Sequence, residues 1–269
     1  MKIDMHCHTK EGSPDGSIPI EEYIRKLKSL GFGGMVVTDH DSYGGYRVWK
    51  ETIRGKRHRD FVVFKGIEYD TIDAGHIIVI MPEYLKLRIL EMRGLPVNML
   101  IDIVHRYGGI LGPAHPCGSK YMSYENSLRA RQVSTMMKFD FVEAFNACET
   151  RESNFEAECL ARVYGKPGTG GSDAHRIACV GLAWTEIPDS IRHESQLINY
   201  IKSGGTVKCG GRYYGHTTKD RIGPFNRILV EMFWFYNKFT GWSKIMKRRK
   251  EMRKPTLSLA TDQPRRRDE

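Results

Sequence analysis

The sequence of 269 residues lacks the long hydrophobic runs that membrane proteins and secreted precursors carry. Its longest apolar runs, such as HIIVIM at 76–81, fall far short of the roughly 20 residues that a transmembrane helix needs. The N-terminus begins with a strand-like segment that carries Asp4 and His6, where a signal peptide would have its apolar core. We therefore expect a cytoplasmic protein.

Cysteine is scarce, and its spacing excludes the common cysteine frameworks. The six cysteines form no CxxC pair and no zinc-finger pattern. In a chain of this length without a secretory signal, free thiols are expected rather than a set of disulfides. An apolar fraction of 40% and a charged fraction of 28% also exclude a disordered, coiled-coil or collagen-like chain.

Positive charge is in excess, but the excess lies at one end of the chain. The formal net charge is +10, and residues 212–269 alone hold 15 Lys and Arg against 6 Asp and Glu. We therefore predict two parts: a nearly neutral domain over 1–211 and a basic, aromatic-containing extension over 212–269 with a disordered end. Such an extension can attract nucleic acid or an acidic membrane surface, and it can also be solvated or pack its aromatic residues on the domain.

Short apolar runs alternate with amphipathic segments over the first 211 residues. The strand candidates are Lys2–His6, Gly34–Thr38, Phe61–Ile67, His76–Met81, Gly109–Ala114, Phe141–Phe145, Gly168–Gly171 and Leu182–Ile187. The helix candidates are 20–30, 45–54, 97–107, 125–138, 153–164 and 190–203. This alternation predicts βα units, a mainly parallel sheet and a compact α/β barrel.

Histidines and carboxylates stand at the ends of these predicted strands. Five clusters share this placement: His6 and His8 in HCH, Asp39 and His40 in TDH, Glu68 and His76 around the third and fourth strands, His115 in AHP, and Asp173 and His175 in GSDAH. The C-terminal ends of parallel barrel strands open on one face, where catalytic groups collect. Imidazole nitrogen and carboxylate oxygen suit Zn, Fe or Mn, so the pattern predicts a metal site of one or more ions.

These motifs resemble the PHP family, the polymerase and histidinol phosphatase superfamily. The resemblance spans about residues 1–190 and rests on HCHT at 6–9, SPDG at 13–16, TDHD at 39–42, GIE at 66–68, GH at 75–76, AHP at 114–116, VEAFN at 142–146 and GSDAH at 171–175. It implies a distorted (βα)7 TIM-like barrel with two or three divalent ions (Mn, Fe or Zn) that acts on phosphate esters.

The resemblance also implies a role for each motif residue. His6, His8 and Asp173 would bind a first metal, Glu68 would bridge to a second, His76 and His115 would complete the second, and His40, His175 and Asp15 would hold a third. Asp39 would be either a ligand or a residue that orients His40, and the second role is favoured because a ligating imidazole usually donates its other N–H to a carboxylate or carbonyl. Glu143 and Asn146 would either complete the site or support it from behind.

The expected reaction is hydrolysis of a phosphate ester by hydroxide that the metals generate from water. The substrate would be a small phosphomonoester, a nucleotide or an oligonucleotide end. Asp173 would act as a ligand at the reacting centre, and His40, His175 or a metal-bound water would protonate the leaving alcohol. Arg176, Arg151 and Lys10 are candidate phosphate contacts. The alternative is a metal-binding module without turnover that has a structural or nucleic-acid-binding role, and the sequence does not determine the oligomeric state.

Overall fold

Strands and helices alternate along the chain, and all eight predicted strands are present. The computed structural model describes residues 1–118, 122–127 and 132–214. The strands are β1 (Lys2–Cys7), β2 (Gly34–Val37), β3 (Val62–Asp70), β4 (His76–Ile80), β5 (Ile110–Pro113), β6 (Val142–Asn146), β7 (Gly168–Gly171), β8 (Ala183–Glu186) and β9 (Lys208–Gly211). The α-helices are α1 (Ile20–Ser29), α2 (Gly44–Thr52), α3 (Val97–Arg106), α4 (Val133–Met137), α5 (Arg151–Val163) and α6 (Glu194–Lys202).

Seven of the strands form one curled sheet in the order β5-β4-β3-β2-β1-β8-β9. The other two, β6 and β7, pair with each other in parallel. This pair contacts β5 on one side and β1, β8 and β9 on the other, so it lies between the two ends of the curled sheet. The arrangement is a mixed α/β fold whose sheet curls as in a distorted barrel.

The expectation of a mainly parallel sheet was wrong. The pairs β1–β2, β2–β3 and β6–β7 are parallel, whereas β3–β4, β4–β5, β1–β8 and β8–β9 are antiparallel. The cause at β3–β4 is the connection: residues 71–75 are too few for a crossover helix, and Gly75, with φ +70°, closes the turn. The described residues therefore do not confirm the count of seven βα units.

The reversal of β4 explains how a residue at the start of a strand reaches the same edge as residues at strand ends. In the β3–β4 register, His76 lies opposite Asp70, two residues beyond Glu68. Strand β5 runs antiparallel to β4 and delivers His115 to this edge just beyond Pro113. The polar edge of the sheet is thus assembled from strands of both directions.

The helices pack their apolar faces against the outer side of the sheet. In α1 the side chains of Ile20, Tyr23, Ile24 and Leu27 are buried, as the helical spacing predicted, and the helix ends just before Gly31 at φ +80°. Burying each such aliphatic side chain contributes about 1.5–3 kcal/mol. No helix in the described ranges is long and apolar enough to cross a membrane.

The structure differs from the sequence prediction in one helix and in one additional strand. The helix expected at 125–138 is a short 3-10 turn at Tyr124–Asn126 and then α4, with residues 128–131 outside the described ranges. Strand β9 was not predicted because its sequence, KCGG, is short and rich in glycine. The extension predicted for 212–269 lies almost wholly outside the described residues, which end at Tyr214.

Candidate metal centre

Glu68 lies at the centre of the polar edge, with an imidazole on nearly every side. Its Oε1 is 2.9 Å from Nδ1 of His76, 3.1 Å from Nε2 of His115 and 3.4 Å from Nε2 of His6. Its Oε2 is 2.9 Å from Nδ1 of His40 and 3.3 Å from Nε2 of His8. One carboxylate therefore joins five of the predicted histidines.

His6, His8 and Asp173 form a buried group beside Glu68. The Nε2 atoms of the two histidines face each other at 3.0 Å. Oδ1 of Asp173 is 3.6 Å from Nε2 of His6 and 3.2 Å from Nε2 of His8. The i and i+2 positions of HCH on an extended strand explain why both rings point to the same side.

His40, His175 and Asp15 form a second group nearer to solvent. Oδ2 of Asp15 is 3.3 Å from Nε2 of His40 and 3.1 Å from Nε2 of His175. Their side chains are 20%, 30% and 52% exposed for His40, His175 and Asp15. His8 also presents a ligand atom to this group, within 4.8 Å of the other three. The structure thus brings all nine predicted ligands into one connected cluster.

The backbone turns sharply where it delivers these side chains. Asp41, His115 and Asp173 have φ of +47°, +32° and +50°, in the left-handed region that residues other than glycine rarely adopt. Buried acceptors hold two of the turns: the amide of His115 donates to Oε2 of Glu143 at 2.6 Å, and that of Asp173 donates to the carbonyl of His6 at 2.9 Å. Strain of this kind concentrates at functional sites.

Glu143 and Asn146 support the cluster from behind. Oε1 of Glu143 is 2.9 Å from Nδ1 of His6, on the opposite side of the ring from the nitrogen that faces His8. The Nδ2 group of Asn146 donates to Oε2 of Glu143 at 3.1 Å and to Oδ2 of Asp173 at 3.2 Å. Both residues therefore contact the predicted ligands, and Glu143 orients the His6 ring.

Two serines that the sequence analysis did not assign contact further histidines. Oγ of Ser13 is 3.0 Å from Nδ1 of His8, and Oγ of Ser123 is 3.4 Å from Nδ1 of His115. Ser13 stands in the SPDG motif, which was a usable signal, whereas Ser123 lies in a loop without a pattern. A partner on the second nitrogen fixes the tautomer and the orientation of a ligating imidazole.

Asp39 does not orient His40, and this expectation was wrong. Its Oδ1 accepts from the amide of Thr9 at 2.6 Å, and its Oδ2 accepts from the amide of Gly45 at 3.0 Å. Burial raises the pKa of Asp39 to about 6 in spite of these donors. The carboxylate ties the end of β1 to the start of α2, while the ring nitrogens of His40 face Glu68 and Asp15.

The donor set fits divalent cations. If Nδ1 of His6 donates to Glu143 and Nδ1 of His8 donates to Ser13, two bare Nε2 lone pairs face each other at 3.0 Å. Oε2 of Glu68 is buried and makes no hydrogen bond, although two imidazoles lie close to it. Ligand atoms bonded to one ion at about 2.1 Å are about 3.0–3.4 Å apart, which matches the spacings around Glu68.

Without a cation, the charged groups perturb one another strongly. Burial would raise the pKa of Glu68, but the imidazoles of His76, His40 and His6 hold it well below its usual range. Burial would lower the pKa of His6, yet Glu143, Glu68 and Asp173 raise it well above its usual value. Burial, together with the neighbouring His175 and His40, lowers the pKa of His8 to about 3. His8 is therefore unprotonated at neutral pH, as a metal ligand must be.

The three predicted phosphate contacts lie in different places. Arg176 is exposed and directly follows the predicted ligand His175. Lys10 is also exposed and comes two residues after the predicted ligand His8. Arg151 begins α5, and its guanidinium carbon lies 5.3 Å from the ring of Tyr213, in a cavity away from the histidines. An arginine that no motif indicated, Arg93, pairs with Asp70 and approaches Asp41, which follows His40.

Comparisons with known proteins agree with this geometry. The family model described as "PHP domain" matches residues 4–150, and the model "PHP-associated" matches residues 151–206. No curated protein sequence matches the chain. The PHP match covers more than half of the chain and includes His6, His8, Asp15, His40, Glu68, His76 and His115.

Several solved structures share the fold. PsfC from Pseudomonas syringae PB-5123 is 18% identical with a TM-score of 0.59, over 86% of this chain and 98% of that one. Endonuclease Q in complex with a 27-mer duplex that carries an abasic lesion is 16% identical with a TM-score of 0.57, over 82% of this chain and 66% of that one. An amidohydrolase from Chromobacterium violaceum is 13% identical with a TM-score of 0.55, over 74% of this chain and 96% of that one.

Proposed function

Because the chain belongs to the PHP domain family, we propose that it is a metal-dependent phosphoesterase. One observation carries the proposal: the ligand atoms of six histidines and three carboxylates converge around Glu68, with spacings that suit shared cations. Two of the fold neighbours, an endonuclease and an amidohydrolase, are named as hydrolytic enzymes, which agrees with a hydrolase.

The proposed ligand groups follow the contacts. His6, His8, Glu68 and Asp173 hold a first ion; Glu68, His76 and His115 hold a second, with His40 beside them; and His40, His175 and Asp15 hold a third. Glu68 is common to the first two groups, and His40 stands between the second and the third. Mn, Fe and Zn all suit this mixture of imidazole and carboxylate.

The charge of the cluster favours an anionic substrate once ions bind. Glu68, Asp173, Asp15 and Glu143 contribute four negative charges when the imidazoles are neutral. Two divalent ions balance these charges, and a third leaves a charge of +2. A phosphate monoester is close to a dianion at neutral pH, so it would neutralise the site.

Bound divalent ions supply Lewis-acid chemistry and lower the pKa of water, so that a nucleophile is available without a serine or cysteine. The chain's own residues then orient the metal ligands and transfer a proton to the leaving alcohol. Glu143 and Ser13 hold the rings of His6 and His8, so the ligands need little rearrangement. His40 and His175 lie nearest to solvent, where either can hold a proton at Nε2 for the leaving alcohol when no third ion occupies it.

The proposed substrates are a small phosphomonoester, a nucleotide or an oligonucleotide end. Arg176 and Lys10, both exposed beside predicted ligands, are proposed to contact its phosphate, and Arg93 joins them from the loop before α3. Arg151 is directed at Tyr213 instead and is left out of this group. We also propose that the catalytic domain ends with β9 at Gly211 and that 212–269 is an extension that contacts nucleic acid or an acidic membrane surface.

The test compares ligand variants with a histidine outside the cluster. We expect Asp173→Ala and His8→Ala to lose bound metal and to hydrolyse p-nitrophenyl phosphate at least about a hundredfold more slowly, since metal assistance is worth several kcal/mol. His105→Ala is the matched control, because His105 pairs with Asp140 on the surface at 2.9 Å, away from the cluster. Elemental analysis counts the ions, and circular dichroism confirms the fold.

The substrate panel separates the proposed activity from its alternatives. It contains phosphomonoesters, a phosphodiester, short DNA and RNA, and a p-nitroanilide for amide hydrolysis, each with added manganese. Full metal content with no turnover of any phosphate ester would support a module without catalysis and contradict the phosphoesterase. Unchanged turnover in both ligand variants would also contradict it.

A further inference from the structure

A cavity of about 670 Å³ lies on the side of β6 away from the metal centre. Glu143 and Asn146 of β6 contact the predicted ligands, whereas Ala144 and Phe145 between them line this cavity, which we name the α5 groove. Its other walls come from α5, Lys166, Gly168 of β7, Trp184 of β8, the start of β9 and Tyr213. The volume falls in the range of about 300–1,000 Å³ that is common for ligand sites.

Aromatic rings line the α5 groove and remain partly open to solvent. The rings of Phe145 and Tyr213 are 5.3 Å apart at 48°, which makes a continuous aromatic surface. Phe155 on α5 is 66% exposed and Tyr213 is 37% exposed. Together these rings form an exposed aromatic patch, on which a partner with a flat apolar face can stack.

Cationic side chains surround these rings. The groove is lined by Arg151, Arg162, Lys166 and Lys208 against a single acidic residue, Glu158. Arg162 pairs with Glu158 at 2.8 Å, and Arg151 lies over the Tyr213 ring at 5.3 Å. In the described part of the chain, neither Arg151 nor Lys208 has a carboxylate partner. The groove therefore has an excess of three positive charges.

We infer that the α5 groove binds a single-stranded polynucleotide. Rings that accept stacked bases, alternating with cations that pair with phosphates, are the two features by which proteins hold single strands. The chain beyond Tyr214 is a poor occupant, because residues 215–269 carry a net charge of +8 and a groove with an excess of cations would repel them. This inference concerns binding at a surface separate from the metal centre, so it stands or falls independently of the proposed phosphoesterase activity.

Binding is measured with the full metal-loaded chain and a fluorescent phosphorothioate dT12, which resists cleavage. We expect Phe155→Ala and Tyr213→Ala to weaken the Kd by about fivefold to a hundredfold, the effect of losing one stacked base. Arg151→Ala and Lys208→Ala should each reduce the slope of log Kd against log salt by about 0.7. Residues 215–269 are unchanged in all of these proteins and contribute the same background to each.

Two control variants make the same kinds of substitution, of an aromatic residue and of a cation, elsewhere on the surface. Tyr84→Ala removes an aromatic ring that is 55% exposed, and Arg106→Ala removes an exposed cation at the end of α3. Neither residue lines the α5 groove or the metal centre. Both should retain the wild-type Kd within about twofold, apart from the small general effect of one charge.

Photocrosslinking locates the strand directly. A 5-iodouracil oligonucleotide should crosslink to peptides within 151–166 and 207–214, and the yield should fall in Phe155→Ala. The inference would be overturned by crosslinks confined to 215–269 or by equal Kd values in the groove variants and the controls. Equal affinity for dT12 and for an abasic oligomer of the same charge would overturn it as well, since stacking would then contribute nothing.

Discussion

Glu143 provides the sharpest test of the metal centre, because it contacts ligands without being assigned as one. Its carboxylate accepts three hydrogen bonds in a fully buried position: from Nδ1 of His6 at 2.9 Å, from the His115 amide at 2.6 Å and from Nδ2 of Asn146 at 3.1 Å. The substitution Glu143→Gln keeps the shape but replaces one acceptor oxygen by an NH2 donor. In either orientation of the glutamine amide, its NH2 group then faces at least one of the groups that donate to Glu143.

The magnitude follows from which contact is lost. With its NH2 group toward His6, the glutamine loses the acceptor that fixes the ring; with the NH2 group reversed, it faces the amides of His115 and Asn146. A buried donor left unsatisfied costs about 1–3 kcal/mol. Loss of a partner that orients a ligand weakens metal binding by about 10- to 100-fold. We therefore expect Glu143→Gln to bind the ion held by His6 about 10- to 100-fold less tightly.

The assay is a competitive metal titration of the purified variant, followed by phosphatase activity as a function of metal concentration. Activity should return at high metal, since the ligands themselves are intact. The matched control is Glu152→Gln, an exposed carboxylate on α5. Wild-type metal affinity in Glu143→Gln, or activity that no metal concentration restores in a folded protein, would refute the role of orienting His6.

Two further predictions concern the pH dependence of metal binding and the steric effect of a substitution next to His6. Nearby carboxylates raise the pKa of His6, His40 and His175 against the opposing effect of burial, so these rings carry protons that an ion must displace. Metal affinity should therefore rise with pH, by up to about tenfold per pH unit for each proton released, and weaken toward pH 6. Calorimetry in buffers of different ionisation enthalpy counts the protons that are released. A metal affinity independent of pH would contradict this prediction. A Cβ at Gly171 would lie 2.2 Å from Cβ of His6, so Gly171→Ala should displace the ring and lower metal content, whereas Gly210→Ala, whose Cβ meets only Trp184 at 3.4 Å, should bind metal normally.

The local pattern of the sequence was sufficient for the strands and for the identity of the ligand candidates. Apolar runs with polar residues directly after them mark strands that end at a functional edge, and all eight predicted strands are present. The family match over 4–150 agrees with the resemblance that these motifs carry. Strand direction was not predictable, because it depends on the length and twist of the connections, and the five-residue turn before His76 reversed β4.

The residues that contact the predicted ligands were harder to predict than the ligands themselves. Ser13 and Ser123 contact histidines only because loops fold back over the cluster, and Asp39 pairs with Thr9 and Gly45 although it adjoins His40 in sequence. Arg151 seemed suited to the phosphate by its distance along the chain, but the start of α5 directs it to Tyr213. Such partners are set by packing between distant segments, which spacing along one strand does not encode.

The sequence by itself identified the residues on which the proposed chemistry depends, since imidazoles and carboxylates at strand ends are ligand types that suit divalent metals. Only the tertiary structure decided how they are shared: Glu68 stands among five histidines because β3 is an inner strand, between the parallel β2 and the antiparallel β4. The structure also separated two surfaces along one strand. Glu143 and Asn146 of β6 support the metal centre, while Phe145 between them faces the basic, aromatic α5 groove.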